Sequence, residues 1–160
     1  MYYHFGVKKY QLPEKLSGIY KHECPDNHYA LTRGFDDVFY APHSRYTGVN
    51  VEEIQSIQGI DILCYSKEAG PYLISTKNGR QVFVTGHPEY DRYTLKNEYI
   101  RDIDRGLNIK MPRNYFINND INDDVIDTWQ GHANLLFANW LNYYVYQETP
   151  FDVGTVEPII

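Results

Sequence analysis

An α/β fold is predicted by three features of the 160-residue sequence. Short apolar runs bounded by turn residues alternate with segments of helical character. One such run, "QVFVTG", opens directly into "HPEYD" and then into the helical "YTLKNEYIRDIDRG", which ends at Gly106. The last long element, from about Asp124 to Tyr146, repeats Leu135, Leu136, Trp140 and Tyr143 at helical spacing. Taken in order, "MYYHFG" reads as the final turn of a helix closed by Gly6, and "LSGIYKHE" and "HYALTRG" read as strands. "FDDVFYAPHSRYTGVN" reads as a loop dense in polar and aromatic residues. "NVEEIQSIQG" is a short helix with Asn50 as N-cap, Glu53 in the capping-box position and Gly59 at its close. Three strands follow, "DILCYS", "PYLIST" after which comes the turn "KNG", and "QVFVTG"; the run Val82 to Val84 is of the kind a strand buried on both faces shows. No repeat, low-complexity tract or linker divides the chain, so one domain is expected.

Composition narrows the functional classes. The net charge is -6, and no Lys/Arg cluster forms a basic stripe, which argues against a nucleic-acid or anionic-membrane partner. No apolar run is long enough to span a bilayer, and "MYYHFGVKK" lacks a signal peptide's apolar segment. With two cysteines, Cys24 and Cys64, a disulfide framework is not expected, and the cytoplasm is the expected compartment.

The candidate chemistry concentrates in "GHPE". His87 and Glu89 are two residues apart, which on an extended loop puts both side chains on one side, and a carboxylate beside an imidazole fixes its tautomer and raises its basicity. The plain alternative is a loop histidine beside a surface glutamate. The remaining histidines, His4, His22, His28, His43 and His132, show no metal-ligand spacing, so no metal is expected. Arg33, Asp36, Asp37, His43, Ser44 and Arg45 could orient a small polar substrate, although an ion-pair network of Arg33 with the two aspartates is the preferred reading of those three. Cys64 falls in a buried strand and Cys24 in a turn before Pro25. Neither stands at a strand-to-helix turn, where a thiol nucleophile is activated.

"LTRGFDDVFYAPHSRY", "VFVTGHPEYD", "NYFINND" and "GHANLLFANWLNYYVYQETPFD" closely resemble the homoserine O-succinyltransferase and O-acetyltransferase family, which acylates homoserine in bacterial methionine synthesis. The resemblance covers nearly the whole chain and corresponds to about the C-terminal half of the family's length. It implies a three-layer, flavodoxin-like α/β domain like the class I glutamine amidotransferases, in which a cysteine on a nucleophile elbow is served by a histidine and a glutamate. On this sequence His87 matches the general base and Glu89 its carboxylate partner. Lys15, in "LPEKLSG", matches a substrate-contacting lysine; Ser44, in "APHSRY", a position that influences substrate choice; Arg101, in "EYIRD", an arginine that binds homoserine.

The nucleophilic cysteine would fall just before Met1, with "MYYHFG" as the rest of its helix, so this stretch alone is expected to be inactive. The resemblance implies acyl-CoA as co-substrate, no cofactor, and a residue outside this stretch that selects succinyl-CoA or acetyl-CoA; a homo-oligomer is expected because half a sheet exposes a strand edge and apolar surface that a partner chain could cover. Two other classes stay open: a non-catalytic ligand-binding or interface module, and an enzyme that recruits Cys24. A helix running straight from Asp91 would carry Arg101 about 15 Å along its axis, too far for the side chain to reach back to His87, so the helix must start later or cross the pocket, or else Arg101 only pairs with Glu98 at i, i+3 on a solvated face.

Overall fold

The computed structural model describes residues 1–25, 28–148 and Gly154. Its elements are α1 (Tyr2–Phe5), β1 (Lys9–Glu23), β2 (Val38–Val49), α2 (Val51–Gln55), β3 (Ile60–Ser66), β4 (Gly70–Thr76), β5 (Val82–Val84), α3 (Thr94–Asp104) and α4 (Gln130–Trp140). The five strands form one sheet in the order β2-β1-β3-β4-β5, every neighbouring pair antiparallel. The domain is therefore α/β with an antiparallel sheet, and no helix among the described residues is long and apolar enough to cross a membrane.

Helices cover both faces of the sheet at its centre. Leu73 and Ile74 are successive residues of β4, so they point to opposite faces, and both are fully buried. Leu73 belongs to a cluster with Leu31, Phe39, Leu63 and Leu136 of α4, while Ile74 packs with Val7, Ile54 of α2 and Ile60, Phe5 of α1 lying against them. A third cluster joins Ile19 to Leu95 of α3, Tyr115, Phe116 and Trp129. β4 is thus the strand covered on both faces. β5, expected to be such a strand, is instead an edge, with Val82 and Phe83 half-buried and Val84 exposed.

Three other expectations are corrected. "HYALTRG" holds a 3₁₀ turn at Ala30–Thr32, not a strand, with Thr32 N and Thr32 Oγ1 both donating to the Tyr29 carbonyl. The segment read as a polar loop is the strand β2, because pairing with β1 from Val38↔Glu23 to Val49↔Lys9 satisfies its backbone and buries Phe39, Ala41, Pro42 and His43. The last helix begins at Gln130, not Asp124. Residues before it are held extended by the Phe116↔Val125 bridge and by Ile126 N donating to the Tyr115 carbonyl at 2.7 Å. Beyond Trp140 that helix widens into a π-turn over Leu141–Val145.

Two shorter readings agree with the structure in part, although α2 ends at Gln55 with Ser56 as its C-cap and does not reach Gly59. Gly6 closes α1 at φ 73°, and the Asn50 side chain caps α2 by accepting from Glu53 N at 3.0 Å. The Glu53 carboxylate turns instead to Lys8 N, so it does not complete a capping box.

Two irregularities of β1 prepare the site. Between the pairs Gln11↔Thr47 and Leu16↔Arg45, β1 advances from 11 to 16 while β2 advances from 47 to 45. The bulge contains Pro13, which has no N–H to give to a ladder, and it carries Lys15. Three residues on, Gly18 adopts φ 136° where the segment around Arg113 crosses the strand, with Ile19 N donating to Arg113 O and Arg113 N donating to Ser17 O.

A Cβ on Gly18 would lie 2.8 Å from the Arg113 Cα and closer still to its backbone N and O, whereas a Cβ on Gly106, at φ 74°, would meet nothing within 4 Å. Gly18→Ala should therefore destabilise the fold by about 3 kcal/mol or more, combining backbone strain with overpacking, and Gly106→Ala by only about 1 kcal/mol. Calorimetric melting temperatures check this, and equal losses would remove the crossing at Arg113 as a constraint.

Candidate active site

The loop after β5 is fixed by its backbone before any side chain acts. Thr85 N donates to Tyr72 O at 2.9 Å, His87 N donates to Pro42 O at 2.8 Å, and Tyr90 N closes a turn onto His87 O at 3.2 Å. Gly86 is required by close approach, since a Cβ there would stand 2.7 Å from the Tyr72 ring and 2.9 Å from Pro42 O. Pro88 needs no donor in this turn.

His87 and Glu89 project together, as their spacing predicts. Nδ1 of His87 lies 2.8 Å from Oε1 of Glu89, and the imidazole stacks on the Tyr90 ring with centroids 4.3 Å apart and planes 14° apart. A carboxylate can only accept, so Nδ1 carries the hydrogen and, in the neutral ring, Nε2 carries the lone pair. The His87 side chain is one-third exposed, and it lines a cleft of about 680 Å³ with Phe83, Pro88, Glu89, Leu136 and Trp140. An accessible imidazole with its tautomer fixed is equipped to take a proton from a hydroxyl.

The other three expected site residues meet on α3. Lys15 reaches from the β1 bulge to Asp102, Nζ to Oδ2 at 2.7 Å, with Glu98 at 4.0 Å. Arg101 donates Nε and Nη2 to Asp102 Oδ1 at 3.0 and 2.8 Å. Ser44 Oγ donates to Glu98 Oε2 at 2.5 Å, and Tyr90 Oη donates to Glu98 Oε1 at 3.1 Å. A continuous path therefore runs from His87 through Tyr90 and Glu98 to Ser44 and Lys15, and on through Asp102 to Arg101.

Arg101 is not paired with Glu98. The helix starts at Thr94 after a turn, which shortens the way back to the site. Hydrogen bonds from Lys15 and Arg101 hold the Asp102 carboxyl below the usual carboxylate range. Burial, then the neighbouring Glu98 carboxylate, pushes the Tyr90 phenol above its ordinary value, so it stays a hydrogen-bond donor at neutral pH.

Asp102 and Tyr90 escaped the sequence reading, and Glu98 entered it only as a surface partner for Arg101. The available signal was the seven-residue step from Leu95 to Asp102, which places an aspartate on the buried stripe of α3, where a carboxylate needs cations.

The remaining polar candidates lie elsewhere. Arg33 does not pair with Asp36 or Asp37; Arg33 Nη1 donates to Tyr143 Oη at 2.9 Å, and Asp36 faces His132 at 3.3 Å. Cys24 and Cys64 are buried in the core with Sγ atoms 2.6 Å apart, and the hydrogen bond with Cys24, together with burial, pushes the Cys64 thiol up, which suits packing and not nucleophilic attack. Among the described residues no cluster of side chains could hold a metal ion.

The homoserine O-succinyltransferase family model matches residues 1–151 of the chain. The chain belongs to that family. It is 57% identical over 157 residues to a homoserine O-acetyltransferase of Acetivibrio thermocellus, a match covering 98% of this chain and 52% of that protein. It is 56% identical over 153 residues to the Clostridium acetobutylicum homoserine O-acetyltransferase, covering 96% and 51%. The chain thus spans about half the length of the curated relatives it matches. Among solved structures, SMU.1228c is similar in fold, with TM-score 0.57 at 13% identity over 84% of this chain and 55% of that one. A glutamine amidotransferase from Thermotoga maritima overlays at TM-score 0.49 and 16% identity, over 63% and 41%.

This family member also buries two histidines behind the site. Strand alternation sends Ser44 toward α3 and His43 to the opposite side, where its Nε2 lies 3.0 Å from Nε2 of His22. His22 Nδ1 donates to Tyr20 O at 2.9 Å, so His43 must donate across the pair, leaving its Nδ1 toward Arg45 Nε at 3.5 Å. Phe39, Tyr20 and Tyr72 enclose the two rings. Burial, reinforced by the Arg45 guanidinium, lowers His22 to about 4 and holds His43 well below its ordinary value.

Both rings are neutral when folded and protonate readily when unfolded, so the unfolded chain binds more protons between pH 6.5 and about 4. Stability is whole above pH 6.5 and is lost on acidification through about 4. For His22 the loss should reach about 3 kcal/mol, and the melting temperature of His22→Phe should depend less steeply on pH in that window. An unchanged slope would show that His22 is protonated in the fold.

Proposed function

We propose that this chain supplies the general base and the homoserine-binding groups of a homoserine O-acyltransferase of methionine biosynthesis. The observation that carries this reading is the His87–Glu89 hydrogen bond, presented on an anchored loop one aromatic ring away from the Ser44, Lys15 and Arg101 group.

In the proposed reaction a cysteine contributed from outside these 160 residues attacks the acyl-CoA thioester, and CoA leaves with the thiol proton. The hydroxyl of homoserine then attacks the enzyme thioester. His87 Nε2 takes the hydroxyl proton as the new ester bond forms, and returns it to the departing cysteine sulfur. Glu89 holds Nδ1–H throughout and stabilises the imidazolium between the two transfers. Arg101, with Lys15, receives the carboxylate of homoserine, for which a guanidinium fork is geometrically matched. Ser44 and Glu98, joined by their hydrogen bond, line the same subsite.

The test is a chimera in which this chain replaces the 157 matching residues of the Acetivibrio thermocellus homoserine O-acetyltransferase. The chimera should acetylate homoserine. His87→Ala in it should lower kcat by about a hundredfold or more. Arg101→Ala should raise the KM for homoserine about tenfold and leave CoA release in the acylation half-reaction intact. The 160-residue chain alone should release no CoA. A folded chimera without transferase activity, or one indifferent to His87→Ala, would end this reading.

A further inference from the structure

Asp102 stands out as the one carboxylate on which both proposed substrate cations converge. Its side chain is 5% exposed, that of Lys15 6% and that of Arg101 47%. Lys15 comes from β1 and Arg101 from α3, so nothing local aligns them; each donates to a different oxygen of Asp102, Lys15 to Oδ2 and Arg101 to Oδ1. The buried ammonium needs this counter-charge, since an uncompensated cation at that depth would be strongly disfavoured. Arg101 spends Nε–H and one Nη2 hydrogen on Asp102, which leaves its outer Nη1/Nη2 edge available. That edge is the one that binds a carboxylate through two parallel hydrogen bonds.

We propose that Asp102 is a positioning residue which locks Arg101 by its inner edge and Lys15 by its ammonium, so that the two present one preformed carboxylate site. The inference rests on the reading of this region as a homoserine site. It adds that affinity for the substrate's carboxylate depends on a residue that does not itself touch substrate. A merely structural ion pair would support the fold and every ligand alike. A positioning residue acts only on ligands that carry a carboxylate.

The experiment titrates the 160-residue chain by NMR with homoserine and with 3-aminopropan-1-ol, which keeps the hydroxyl and the ammonium but lacks the carboxylate. The wild-type chain should bind homoserine more tightly than the amino alcohol. Asp102→Asn, nearly isosteric but uncharged, should weaken homoserine about tenfold or more, the size of one charge-assisted hydrogen bond, and leave the amino alcohol unchanged. Should the Asn variant fail to fold, Asp102→Glu keeps the charge, displaces both cations by one methylene, and should show the same selective loss to a smaller degree. Homoserine binding unchanged in the folded variant, or an equal loss for both ligands, would overturn the positioning role while sparing the homoserine site. A wild-type chain to which homoserine does not bind would overturn the site reading and this inference with it.

Discussion

The hydrogen bond from His87 N to Pro42 O is the contact on which the site's geometry depends. It ties the loop after β5 to β2, two strands that are the opposite edges of the sheet order, and so closes the curl of the sheet at one end. Because β2 alternates, fixing Pro42 fixes its neighbours as well. Ser44 is aimed at Glu98 on α3, and His43 is turned away into the pair with His22. Gly86 allows the approach by leaving room beside Tyr72 and Pro42, and no other residue type would let the backbone come so near. A loop held to the sheet by two backbone bonds and closed by its own turn has little further freedom to lose, which suits the proposed role of its histidine.

Charge is organised around that geometry by α3. Glu98 and Asp102 are four residues apart and share a face, and between them they receive a hydroxyl, a phenol, an ammonium and a guanidinium. The two carboxylates differ in surroundings: Asp102 is sealed between cations, while Glu98 keeps more contact with solvent and with neutral donors. The region is therefore close to neutral overall, with two carboxylates interleaved with an ammonium and a guanidinium. Behind it the neutral histidine pair packs beneath β2 without adding charge near His87, and Arg45 donates to the carbonyls of Thr47 and Ala69.

How much of this could be read from the chain depended on the distance over which each signal acts. The His87–Glu89 pair was legible because two residues on an extended loop decide it. α2, α3 and the strands β3 and β4 were legible because capping and apolar runs are local. β2 was not: "FDDVFYAPHSRYTGVN" contains a proline, a glycine and charged residues, and only eleven paired positions with β1 make a strand of such a sequence. The start of the last helix was misplaced for the same reason, since the stretch before Gln130 is held extended by Tyr115 and Val125, partners remote from any helical periodicity.

What the sequence by itself determined is the α/β class, the pairing of His87 with Glu89 on one loop and, through its resemblance, the family; it also pointed to Lys15, Ser44 and Arg101 as candidates. Tertiary structure alone decided that these positions lie along one network of contacts, which Glu98, Tyr90 and Asp102 complete. The physical reason is that an ion pair across 87 residues, such as Lys15 with Asp102, leaves no periodicity in the chain. The seven-residue step from Leu95 marks Asp102 as inward-facing, but which cations meet it is decided only when folding brings an ammonium from a strand bulge and a guanidinium from its own helix against it.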